Sequence, residues 1–157
     1  MTISVKTKLL DPYARAPQYA REGDAGADLF SVEDTVIAVR QSAIIRTGIA
    51  LEIPVGYECQ IRPRSGHAAK FGVTVLNAPG TIDAGYRGEL KVILINHGAF
   101  PFIIKKGDKI AQIVIAPVVN ASFNIVRELS ESERGVNGFG STSDIERGVG
   151  SGWGFGL

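Results

Sequence analysis

Gly72-Val-Thr-Val-Leu-Asn77, Gly80-Thr-Ile-Asp-Ala-Gly-Tyr-Arg-Gly88 and Glu89-Leu-Lys-Val-Ile-Leu-Ile-Asn96 place a reversal between two β-branched runs, and the reversal holds three glycines, one acid and one aromatic. The outer runs read as strands because Val, Ile and Thr fill them and turn residues bound them. Glycine lets the loop backbone reach positive φ and approach a ligand closely, while the flanking strands hold the loop still. Such a reversal either displays functional groups or is a plain hairpin in which Asp83 only helps the chain turn. The rest of the chain has to decide between the two.

The same pattern of short runs and turn signals recurs on both sides. Ile3–Leu10, Asp34–Val39, Ser42–Thr47, Ile49–Ile53, Gly56–Arg62, Phe100–Lys105, Ile110–Val119 and Phe123–Glu128 all read as strands, with Gly and Pro between them. A turn or two of helix is predicted at Ser65–Lys70, begun by a serine cap. One all-β domain over residues 1–129 follows, a sandwich, jelly roll or small barrel. Residues 130–157 turn to Ser, Glu and Arg and then to dense glycine, and read as an arm or mobile tail.

Composition narrows the classes. A chain of 157 residues with 45% hydrophobic content can bury one core. Its formal net charge of +1 gives no basic surplus for a nucleic-acid backbone, although a compact anionic ligand fits. Cys59 is the only cysteine, so no intrachain disulfide framework exists, and its alternating context reads as a buried, inert thiol. No signal-like segment opens the chain, and no apolar run approaches the roughly 18 residues of a membrane span. A cytosolic protein is expected.

Four further stretches can carry chemistry. Asp24-Ala-Gly-Ala-Asp-Leu29 sets two acids around a glycine but fails the calcium-loop pattern, leaving a turn into a strand or a carboxylate near a cation. Pro63-Arg-Ser-Gly-His-Ala-Ala69 offers a guanidinium, a hydroxyl and free N–H groups at a helix start, an anion site. His67 has no orienting acid beside it and reads as structural. Lys106-Gly-Asp-Lys-Ile-Ala-Gln112 is a turn into a strand, where Asp108 and Gln112 reach one ligand only if the strand entry twists. Arg134-Gly-Val-Asn-Gly-Phe-Gly-Ser-Thr142 has glycine spacing like a Walker loop without its lysine or its helix. It is a phosphate nest or a flexible linker; Phe139 favours a segment that folds over a flat base.

Taken together, Ala25–Leu29, Pro63–Gly66, Gly80–Gly88, Gly107–Gln112 and Arg134–Thr142 resemble, in order, the five blocks of the homotrimeric dUTPases. The resemblance implies a distorted jelly-roll barrel with a flexible C-terminal arm, assembled as a trimer whose three active sites are each built from three subunits. It implies hydrolysis of dUTP to dUMP and pyrophosphate with Mg²⁺, which supplies dUMP for dTMP synthesis and keeps uracil out of DNA. Asp83 is then the base that activates water, and Tyr86 stacks on the deoxyribose and excludes a 2′-hydroxyl. Asn77 and the loop backbone through Thr81, Ile82 and on to Lys91 read the uracil edge. Arg64, Ser65, Gly66 and Gln112 hold phosphate oxygens, and Asp28 acts on the metal through a coordinated water. Arg134 meets the γ-phosphate, Phe139 covers the base, and Gly140, Ser141 and Thr142 close on the phosphates from another subunit. The chain departs from the family at His67, Lys70 and Asn137, and Ser143–Leu157 lies beyond what the family explains. dCTP deaminase, of the same fold, carries a glutamate ten residues after the matching Ile-Asp; here that position is Ile93, which cannot shuttle a proton. A nucleotide-sensing module that has lost the chemistry is opposed by the intact Asp83, Tyr86, Arg64, Ser65 and Arg134.

Overall fold

A computed structural model of the protein describes residues 2–138. The chain divides into two units, Met1–Asn120 and Ala121–Leu157. In the first, β1 (Lys6–Leu9) pairs with β5 (Ile49–Glu52), and β3 (Thr35–Ile37) pairs with β10 (Phe102–Ile104). A four-stranded sheet runs β2 (Ala27–Phe30), β11 (Lys109–Pro117), β6 (Tyr57–Arg62), β8 (Gly80–Ile82). A three-stranded sheet runs β4 (Ser42–Arg46), β9 (Lys91–Asn96), β7 (Val73–Val75). Every pairing is antiparallel. The result is a distorted jelly-roll barrel with one short helix, α1 (Ser65–Phe71).

The inward faces of these strands form one core, in which Leu29, Ile45, Ile49, Leu90, Leu94 and Ile110 are almost wholly buried. In β9 the alternation is strict: Val92, Leu94 and Asn96 point inward, which turns Lys91, Ile93 and Ile95 to the other face. Asn96 is a polar residue in that core, and it is satisfied. Its amide donates to Ile37 O at 3.0 Å and Phe100 O at 2.8 Å, and its oxygen accepts the Gly98 N–H at 2.9 Å.

The central reversal is more elaborate than a hairpin. β7 and β9 are its arms, with Val75 opposite Leu94. Between them the chain leaves the sheet, and β8 crosses to pair with β6, placing Thr81 opposite Gln60. The loop is therefore anchored in both the four-stranded and the three-stranded sheet.

Two sequence expectations are corrected. Ser65 is not a cap: Arg64 holds that position with extended backbone (φ −88°, ψ 126°), and no side chain caps the helix. The helix ends at Gly72, whose φ of 66° and whose packing against Gly98 N, at 2.9 Å from where a Cβ would sit, both call for glycine. The strand expected at Phe123–Glu128 is not formed. Alternation fixes the faces of a strand, but a strand forms only where a neighbour takes its N–H and C=O groups, and none does among the described residues of the second unit. That unit instead holds a tight turn, with Gly135 N–H on Ser132 O at 3.0 Å and Asn137 N–H on Arg134 O at 3.2 Å.

Candidate active site

Asp28 is the centre of the first cavity. It is buried, and two cations clamp it: Arg64 Nε at 3.2 Å from Oδ1 and Lys109 Nζ at 2.7 Å from Oδ2. Two positive charges on one acid leave the clamp itself a surplus of one, while the exposed Asp24 brings the lining as a whole to neutrality; an anion would meet the two cations in a partly desolvated setting, where charge pairs act strongly. Asp24, Ser65, Gly66 and Gln112 also line this cavity of about 520 Å³. Register brings them together. Gln112 of β11 lies opposite Asp28 on one side and Arg62 on the other, and its amide donates to Pro63 O at 3.1 Å. Gly26 leaves the space for that side chain, since a Cβ there would run into Gln112 Oε1 and lie 2.8 Å from its Cδ.

Lys109 was missed by sequence reading. Residues 109 and 112 should point to opposite faces of a strand. The register of β11 against β2 shifts between Lys109 and Ala111, so Lys109 pairs with Phe30 and Gln112 with Asp28. Phe30 and Asp28 share a face, and the bulge therefore puts Lys109 and Gln112 on it together. The strand entry does twist, but it delivers Lys109 rather than Asp108.

The second cavity, about 400 Å³, is lined by Ile44, Thr81, Ile82, Asp83, Tyr86, Glu89, Lys91 and Ile93. Its floor is the outward face of β4 and β9, where Ile44 lies opposite Ile93. Its wall is the reversal, tightened by Tyr86 N–H on Asp83 O at 3.1 Å and by Arg87 Nη1 on Tyr86 O at 2.9 Å and Ala84 O at 2.6 Å. Asp83 is exposed, open to water and to a ligand. Asn77 is not on this wall; it sits at the base of the loop with its amide against Gly80. Ile44 was not foreseen, because only the β4–β9 register reveals that it faces the loop.

A third cavity, about 460 Å³, lies on the other side of Arg64, between α1 and β10. There His67 packs edge-on to Phe102, with ring centroids 5.2 Å apart, and to Phe71 at 6.3 Å. Arg64 Nη1 lies 3.5 Å from His67 Nε2 and donates to Lys109 O at 3.3 Å. Burial, then the neighbouring Arg64, hold the His67 pKa below its ordinary 6.5, while Asp108 and Asp28 oppose them. His67 is thus neutral around pH 7, and protonation would set a second cation beside Arg64. The sign follows: stability from neutral His67 is complete above pH 6.5 and is lost as pH falls through the lowered value. A polyanion entering beside Arg64 would meet that second cation, so its apparent affinity should rise in the same window, and His67→Leu should remove that step from a pH series of KM. An identical acid limb in the variant would free His67 of the effect.

Five predicted residues, Asp28, Arg64, Ser65, Gly66 and Gln112, thus share the first cavity, and Thr81, Ile82, Asp83, Tyr86 and Lys91 share the second. The two cavities have no lining residue in common. Arg134 lies in the second unit, its Nε donating to Asn137 O at 3.0 Å. Phe139, Gly140, Ser141 and Thr142 lie outside the described residues. Among the described residues no cluster of three or more acidic, His or Cys side chains forms a metal cage, and no helix is long and apolar enough to cross a membrane.

A jelly roll with one cavity that holds two cations beside a clamped acid and a second with an aliphatic floor, acids and a tyrosine can seat a small molecule with an anionic part and an apolar part. Residues 12–143 match the dUTPase family. The chain is 59% identical over 139 residues to the deoxyuridine 5'-triphosphate nucleotidohydrolase of Clostridium tetani, which covers 88% of this chain and 96% of that one. The solved dUTPase of Staphylococcus bacteriophage 80alpha with dUPNHPP aligns at a TM-score of 0.84 and 33% identity, over 90% of this chain and 99% of that chain. A mutant dUTPase of phage phi11 of S. aureus, whose structure concerns the coordination of a structural Mg(II) ion, aligns at 0.76 and 29%, over 82% and 100%. This chain belongs to the dUTPase family.

Proposed function

We propose that the protein hydrolyses dUTP to dUMP and pyrophosphate, with Asp83 activating the water that attacks the α-phosphate. The observation that carries this reading is the composition of the second cavity. Asp83 and Tyr86 stand on a wall facing Ile44 and Ile93, so the slot offers an acid for water and an apolar floor, with no acid at position 93 to do chemistry on a base. Backbone groups of the loop would read the uracil edge; cytosine reverses the donor and acceptor, and buried polar groups left unpaired can cost about 10⁴-fold.

The cavity of Asp28, Arg64, Ser65, Gly66 and Gln112 would take the phosphates, with Lys109 added to the set. Its donor set suits a Mg²⁺ that arrives on the triphosphate, because Asp28 is the one buried acid there and already faces two cations, leaving it to act through a coordinated water. When bound, Mg²⁺ would neutralise charge on the phosphate chain. Arg134 and Phe139–Thr142 would cap the γ-phosphate and the base.

Separation of the two cavities supports a shared site in a homotrimer. One copy would supply the base and sugar slot, a second the phosphate cavity and a third the arm. A nucleotide panel with product identification tests the function: dUTP should yield dUMP and pyrophosphate, and dCTP, dTTP and UTP should be cleaved far more slowly. Ammonia released from dCTP would overturn it.

A further inference from the structure

Tyr86 is nearly half exposed, at 45%, yet its hydroxyl is tethered. Its hydroxyl donates to the carbonyl oxygen of Glu89 at 3.1 Å. Gly88 gives the ring its place: a Cβ there would run into the hydroxyl and lie 2.6 Å from Cζ and 3.0 Å from Cε2. Glu89 in turn is fixed through its carboxylate. Arg46 Nε sits 3.2 Å from Oε1 and 3.3 Å from Oε2, and the Gly48 N–H donates to Oε1 at 3.0 Å. The next residue is fastened as well, with Leu90 N–H on Ile49 O at 2.8 Å and the Thr47 hydroxyl on Leu90 O. Arg46 is itself set by its own N–H on Glu33 Oε1, at 2.9 Å. A loop carbonyl would ordinarily be a mobile acceptor. Here a side-chain ion pair, largely shielded on the Glu89 side, ties it to the turn between β4 and β5.

We infer that Glu89, held by Arg46 and the Gly48 N–H, is a positioning residue that fixes the Tyr86 ring and thereby sets discrimination between deoxyribose and ribose triphosphates. The inference rests on the proposed dUTP reading and on Tyr86 as the sugar wall. A wall excludes a hydroxyl only if yielding is costly. The Glu89 carboxylate is engaged by Arg46 and the Gly48 N–H, so its effect would reach the sugar through the carbonyl on which the tyrosine hydroxyl rests.

The test is the ratio of kcat/KM for dUTP to that for UTP in the wild-type protein, Glu89→Gln, Arg46→Gln, Arg46→Lys and Tyr86→Ala, with thermal unfolding of each variant measured alongside. Glu89→Gln and Arg46→Gln should each lower the ratio by about tenfold, equivalent to about 1.4 kcal/mol of lost discrimination. Arg46→Lys, which keeps the cation, should recover part of it. A wild-type ratio in folded Glu89→Gln and Arg46→Gln would overturn the inference. So would equal losses for both nucleotides, which mark a structural role alone. If Glu89→Gln fails to fold, the two Arg46 variants decide by the same criterion. Failure of the underlying reading looks different: the wild-type protein would not cleave dUTP, or Tyr86→Ala would keep the wild-type ratio.

Discussion

Asp83→Asn is expected to bind dUTP with little change while turnover falls by roughly 10²–10⁴-fold, the range that a positioned general base contributes. The amide keeps the size and hydrogen-bonding reach of the carboxylate but cannot accept a proton from water. A carboxylate is a weak base at neutral pH, so alignment and charge stabilisation must supply much of the rate. That alignment is built into the loop, where β8 fastens one end in the four-stranded sheet and β9 the other in the three-stranded sheet. Calorimetric affinity for dUTP and single-turnover rates separate the two effects. Wild-type turnover in the variant would remove Asp83 as the base. The same variant also reports on assembly. Mixed with Arg64→Ala subunits, it should regain part of the lost activity, since a shared site can draw its Asp83 from one copy and its Arg64 from another. No recovery in proven mixed trimers would place both residues in a site within one chain.

Strands with one buried face show themselves in the sequence by alternation. β9 and β6 alternate and lie where the pattern put them, whereas β2 is buried along its whole length and so has no alternation to read. β8 spans three residues that open the glycine-rich stretch, and only its partner β6 makes it a strand. The candidate site residues come from the family's five blocks, which pick out stretches of sequence, Asp28 on β2 and Gln112 on β11 among them. Those blocks do not reveal what a register shift does, which is why Lys109 went unseen beside Asp28. Nor do they reveal Ile44, which joins the second cavity through its pairing with Ile93. The same limit explains Phe123–Glu128, whose alternation is real but whose hydrogen bonds have no neighbour among the described residues of its own unit.

Deleting Ser130–Leu157 should abolish dUTP turnover, with an expected loss of at least about 10²-fold, and leave the barrel folded. The second half of this expectation follows from the core. Its buried cluster runs from Ala27 to Ile113, so the deletion removes none of its members. Thermal unfolding of the truncated protein should therefore remain cooperative and close to that of the full chain. The first half follows from charge and from water. The deletion takes away Arg134, the proposed partner of the γ-phosphate, and Phe139, the proposed cover of the base. A phosphate chain held only by the Asp28 cavity would stay hydrated, and charge pairing weakens steeply as water enters. Binding should fall less than turnover, because the base and sugar slot is left whole and alignment suffers most. Arg134→Ala in the full chain separates the two contributions. A loss close to that of the truncation assigns the effect to the cation, and a much smaller one assigns it to the residues that follow. A truncated protein that cleaves dUTP at the full-length rate would remove the arm from the site.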